Sequence, residues 1–308
     1  MTDSGILQEG LGSVPRLGVG LLYNAALPNF VRSHLDAFDY LAITPDLFWL
    51  DRGAGHPERY EELESWIETL DWVAADRPIV SHNIGLSIGS ARAFDVAYLD
   101  QVARFQKRYK FPWHSDHLSF AQVRGAHGDF NAGLAVPIPY DHEMLQLVAD
   151  RVRLVREKIP IPFILENSVY FVDFPEQDMS ETEFLNQLTQ RSGCGLLLDL
   201  HNLYTNARNH GFDAFAFIDQ VDLTSVLEMH VAGGDEFAGM YTDSHAGPVP
   251  DPVWELLDYA VPRAPNLRGV TFEFHFSYYV LMEESGVRAQ LDRARAAWER
   301  RTSAVNTL

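Results

Sequence analysis

The chain has 308 residues, 24 basic against 43 acidic side chains for a formal charge of −19, 46% hydrophobic residues and one cysteine. A field of that sign repels a phosphate backbone and an anionic bilayer, which argues against nucleic acid and a membrane surface as partners. Cys194 alone allows neither an intramolecular disulfide framework nor a thiolate-rich zinc site; with no signal-like N-terminus and no run near the ~20 apolar residues of a membrane span, the expected setting is cytoplasmic.

In chain order, eight short apolar runs read as strands: 16–22, 38–44, 77–82, 113–120, 161–167, 195–200, 226–231 and 269–274. Several are nearly continuous in Val, Ile, Leu and Phe, the pattern of strands buried on both faces. Between them, segments such as PERYEELESWIETLDWVA, ARAFDVAYLDQVARFQKRY, DHEMLQLVADRVRLVREKI and SETEFLNQLTQRS carry apolar residues at helical spacing. Repeated βα units with right-handed crossovers close at eight strands, so the fold class is α/β, a (β/α)8 TIM barrel, with the active site at the C-terminal strand ends. Without a linker or composition break, residues 1–308 read as one domain, its first ~15 and last ~10 residues flexible. The glycine-rich stretch 232–250 reads as a site loop.

Metal-type side chains recur at the ends of these runs: His82, His117, Glu166, Asp199, His230 and Glu273, with Asp243 and His245 in the site loop and Asn202 three residues past Asp199. A group that is costly to bury would not keep returning to the end of a hydrophobic strand unless a cation offset its desolvation. Imidazole and carboxylate without thiolate suit iron, zinc or manganese, and Glu166 can bridge two ions with its two oxygens. Period-two alternation puts Asp243 and His245 on one side of an extended segment. Any one of these histidines alone would more often be a hydrogen-bonded core residue; the set carries the argument. His34, His56, His127 and His142 read as solvated, His114 at best as a support behind a ligand, and His210 and His275 as supports behind the ligands, substrate contacts or structural residues. Cys194 precedes the sixth strand, away from the ligand end, and reads as a small buried residue.

The ordered motifs HNIGLSIGS, SDHLSF, LENS, LLLDLHNLYTNARNHGFD, HVAGG and TDSHAGPVPDPVWELL resemble, over about residues 16–280, the DUF692 family of multinuclear non-heme iron-dependent oxidative enzymes, related to the methanobactin enzyme MbnB, within the xylose isomerase-like barrels. The resemblance implies two or three iron ions at the nine positions named, dioxygen as cosubstrate, and Glu166, Asp199 and His245 as the catalytic members. It implies oxidative modification of a ribosomally synthesised precursor peptide, often at cysteine, with a separate protein presenting the peptide. Asn202 stands where endonuclease IV-like enzymes carry a histidine for a third metal. The chain departs from the family pattern at His201, usually Asn, at His275, where a carboxylate is frequent, and at ITPDLFW, whose Asp46 and aromatic neighbours could shape a different pocket. The other reading is a divalent-metal hydrolase or isomerase of the endonuclease IV or xylose isomerase type. A binding protein with a structural metal would not need so many ligands.

Overall fold

A computed structural model describes residues 13–305 except 92, 93, 126, 127 and 173, with side chains described outside 122–135 and 301–305. His127 and the end residues 1–12 and 306–308, with the expectations placed on them, lie outside the described residues.

Eight parallel strands close a barrel in sequential order: β1 (Gly18–Leu22), β2 (Tyr40–Ile43), β3 (Ile79–Asn83), β4 (His114–His117), β5 (Phe163–Glu166), β6 (Gly195–Asp199), β7 (Val226–Val231) and β8 (Gly269–Phe272). Each lies on a predicted run, and β1 pairs with both β2 and β8 to complete the closure. The lumen holds an apolar cluster that includes Tyr40, Val80, Trp113, Ile164, Leu197 and Leu227, separate from the larger cluster between strands and helices. Gly20 and Gly269 make room for Tyr40, since a Cβ on them would fall 2.3 Å from its ring and 2.4 Å from its hydroxyl.

Because side chains alternate, the residue two positions past an inward one also faces the lumen, one layer nearer the C-terminal mouth. Val80 leads to His82, Ile164 to Glu166 and Leu197 to Asp199 in this way. On β7 the register with β6 shifts, Leu196 pairing with Val226 and Leu197 with Glu228. Leu227 is the extra residue of this bulge. It lies in the lumen cluster, while Glu228 bonds to lumen residues, so the shift restores inward parity for Glu228 and His230.

The helices follow the predicted segments, with local chemistry setting their ends. Asp95 caps Val96–Tyr109, Asp141 caps His142–Lys158, and a Ser180/Glu183 capping box opens Glu181–Ser192, which stops at left-handed Gly193. In the first predicted helix, Tyr60–Glu62 instead pairs antiparallel with Trp49–Asp51, and the helix runs only over Glu64–Ala74. Tyr60 packs on Trp49 and Arg59 binds Asp51 at 2.7 Å, cross-strand contacts that outweigh the local helical pattern. The predicted fourth strand ends at His117, and Ser119–Gly125 turns into a hairpin with Gly128–Pro137. Residues 232–250 carry a smaller hairpin, Asp235–Phe237 with Met240–Thr242. No described helix is long and apolar enough to cross a membrane.

Candidate metal centre

Three overlapping triads stand at the C-terminal mouth, each with ligand atoms within 4.8 Å of one another: His82, His117 and Glu166; Glu166, Asp199 and His230; His82, His230 and Glu273. Glu166 Oε2 lies 3.3 Å from His82 Nε2 and 3.2 Å from His117 Nε2, and His230 Nδ1 abuts Glu273 Oε1. At the rim, Asp243 Oδ1 is 3.0 Å from His245 Nε2, and His245 Nδ1 is 3.6 Å from Glu273 Oε2. His245 holds a left-handed backbone at φ 51°, a strained position for a side-chain-bearing residue and one found at functional sites.

The hydrogen bonds on the far side of each ring assign its tautomer. Ser115 Oγ donates to the Ser81 carbonyl, so His82 Nδ1 donates to Ser115 Oγ at 2.8 Å and its Nε2 presents a lone pair. His117 Nδ1 donates to the Asn83 carbonyl at 3.1 Å, with the same result. His230 Nε2 donates to Glu228 Oε1 at 3.2 Å, which turns the Nδ1 lone pair toward Glu273. Three imidazole acceptors thus face carboxylate oxygens, which are also acceptors. Glu166 Oε2, Glu273 Oε1, His230 Nδ1 and Asn202 Oδ1 are buried without a hydrogen-bond partner. Groups so placed are costly to bury, and cations held between them would offset that cost. The donor set therefore fits a metal cluster, with Glu166 common to two triads.

Proton affinities divide the site: His82 and His117 are neutral and suited to a cation, whereas Glu166 and His230, the latter raised against burial well above its usual range by Glu273 and Glu228, hold protons that a bound cation would displace. Burial lowers the pKa of His82 and His117, and neighbouring imidazoles lower His82 further, so both rings stay neutral and available as ligands. Burial and then Asp199 push Glu166 well above the usual carboxylate range. Burial works against the charged form of His245, yet Asp243 outweighs it and lifts the pKa to about 10. Burial would raise Glu273, but His230 draws it down to about 2.

The remaining predicted positions divide. Asp199 caps helix Leu200–His210 through Asn202 N at 2.7 Å and takes part in a triad. Asn202 donates to Glu166 Oε1 at 3.3 Å and to the Asn167 carbonyl at 3.0 Å. His201 is fully buried with Nδ1 3.0 Å from Asp243 Oδ1, so it adjoins the rim. His275 is exposed and caps a short turn through Ser277; only its backbone N–H touches the site, at the His245 carbonyl. His210 bonds the Tyr170 carbonyl and stacks on that ring. Asp46 accepts a hydrogen bond from Tyr98 at 2.8 Å, and its neighbours Phe48 and Trp49 pack on Trp66 and Phe105. His114 alternates out of phase with His117 and lies against Phe163, with a pKa lowered by burial to about 3; it is a core residue. His34 is held by Glu284 and Arg288, so it is paired rather than freely solvated. Cys194 is buried beside Ser192, its thiol pushed up to about 11 by burial.

Sequence reasoning missed the residues that hold the candidate ligands. Glu228, fully buried, accepts hydrogen bonds from Tyr40, Thr271 and Trp113 as well as His230. Asn167 clamps the Asp199 backbone, donating to its carbonyl at 3.0 Å and accepting its N–H at 2.8 Å. Period-two spacing from His230 was the available signal for Glu228, and from His117 for Ser115.

This barrel and its mouth define a xylose isomerase-like TIM barrel with candidate metal-binding groups. Among solved structures it resembles endonuclease IV of Thermus thermophilus, at TM-score 0.56 and 15% identity over 93% of this chain and 100% of that one, and D-psicose 3-epimerase of Clostridium cellulolyticum, at 0.56 and 12% over 91% and 98%. At those identities the likeness is one of fold. The chain belongs to the MbnB/TglH/ChrH family of RiPP precursor modification enzymes, whose model matches residues 18–297. It is 32% identical to a UPF0276 protein of Caulobacter vibrioides, over 76% of this chain and 78% of the relative, and 32% identical to one of Neisseria meningitidis, over 72% and 79%.

Proposed function

We propose that the protein uses iron and dioxygen to modify a ribosomally synthesised precursor peptide oxidatively, at cysteine or another residue, with a separate protein presenting the peptide in the cytoplasm. The supporting observation is the set of three imidazole lone pairs aimed at carboxylates around the shared Glu166. His82, His117, Glu166, Asp199, His230 and Glu273 would hold the metal, with Asn202, Asp243 and His245 at the rim. Iron there would supply the one-electron chemistry that dioxygen requires and that the side chains lack. The chain's own part is placement. Ser115, the Asn83 carbonyl and Glu228 fix the three rings, and Asn202 braces Glu166. The rim residues Asp243 and His245 stand between the buried cluster and solvent, where a peptide would arrive.

The test is protein purified without oxygen, which should contain about two to three iron ions per chain. With iron(II), the presenting protein and the cognate precursor it should consume dioxygen and change the mass of one or a few peptide residues. Stoichiometric zinc with no activity gained on iron loading, or oxygen-independent cleavage of abasic-site DNA, would overturn this reading in favour of a hydrolase.

A further inference from the structure

The loops after β4 and β5 enclose a cleft on the same face as the metal centre, walled by Ile138, Tyr140, Tyr170, Phe174 and Met179, with a volume of about 210 Å³. At its base stands Glu181, the first residue of helix Glu181–Ser192. Its residue is 9% exposed, and its Oε1 is buried with no hydrogen-bond partner. The same side chain lines an adjoining cavity toward Phe212 and Phe217. Burial raises its pKa to about 8, partly opposed by a hydrogen bond from Tyr140. Among the described residues no Lys or Arg lines either cavity, so the cleft offers this carboxyl no cation of its own. Asp213, lining the second cavity, adds another acid. On the same loop Phe171 and Val172 are 41% and 65% exposed, an apolar lip at the entrance.

We propose that this cleft is a subsite for a lysine or arginine side chain of a peptide, with the alkyl stem along Tyr140, Tyr170 and Met179 and the cation on Glu181. A basic side chain combines the two properties the cleft lacks a partner for: an apolar stem that packs against rings and a charged tip that draws the proton off a buried carboxyl and pairs with the carboxylate left behind. The aromatic faces add attraction for the cation. The net charge of −19 draws basic segments toward this surface, and the aromatic walls and Glu181 give them one place to settle. The inference rests on the peptide-substrate reading and says which side chain of that peptide the protein would grip.

The experiment uses the metal-loaded protein and three acetylated, amidated pentapeptides that differ only in a central lysine, norleucine or glutamate, titrated at physiological salt by fluorescence anisotropy. The lysine peptide should bind roughly tenfold tighter than the norleucine peptide, and the glutamate peptide least. Glu181→Gln should erase the lysine preference. Val172→Lys, a change on the exposed lip that leaves the fold alone, should weaken the lysine peptide several-fold. Absence of the preference in the wild type overturns the subsite. So does its survival in both variants, which would trace it to overall charge. Oxygen uptake with the cognate precursor is read separately: normal uptake without lysine selectivity sinks the subsite alone, and lysine selectivity without any uptake sinks the proposed reaction alone.

Discussion

Glu228 and His230, two residues apart on β7, meet inside the barrel with Oε1 3.2 Å from Nε2. The carboxylate also accepts from Tyr40 at 3.2 Å, Thr271 at 2.6 Å and Trp113 at 2.7 Å, which fixes it in the lumen below the triads. It is therefore a positioning residue that sets which nitrogen of His230 faces the candidate metal centre. Such a carboxylate beneath a ligating imidazole also raises the ligand's basicity.

Glu228→Gln keeps the shape and removes the anion. Metal retention should fall by ~10–100-fold, measured as iron left after dialysis against graded chelator, while the fold survives. Glu228→Leu should in addition lower the melting temperature, because four buried donors lose their acceptor at a cost of about 1–3 kcal/mol each. Unchanged retention in Glu228→Gln would reduce this residue to a packing role.

Glu166 belongs to two triads, and Asn202 braces it from one side. Glu166→Ala should therefore strip more than one metal per chain, and Asn202→Ala mainly a single one. Elemental analysis of the two variants, matched for folding by circular dichroism, decides the ranking. Equal losses would contradict it.

Glu181 gives a pH dependence whose sign follows from its burial. The folded pKa of about 8 lies above the ordinary 4.5, so between those values the native state holds a proton that the unfolded chain has released. Stability contributed by this residue falls as pH rises through that window and stays lost above it. Glu181→Gln should gain on the wild type by a few kcal/mol between pH 5 and pH 8.5, read from urea melts of both proteins. Parallel stability curves for the two would show that the carboxyl reaches solvent without penalty.

The eight strands, their order and the His, Asp and Glu side chains at their C-terminal ends were legible in the sequence, because run length and period-two alternation are local properties of the chain. Asp199 and Glu166 could be picked out as polar residues closing the apolar runs GLLLD and PFILE. What the tertiary structure alone decided depends on groups far apart in sequence. The bulge at Leu227 fixes the parity of β7 by its register with β6, and so brings Glu228 under His230. Ser115 reaches His82 across 33 positions and Asn83 reaches His117 across 34, and these bonds select the nitrogens that face inward. His114 turns out to the core and His275 to solvent, though each lies within three residues of a candidate ligand. Tyr60 leaves a helical pattern for a cross-strand ring contact with Trp49. Composition and periodicity state what each segment can bury; barrel closure decides which side chains meet, because pairing and register are set between strands and not within them.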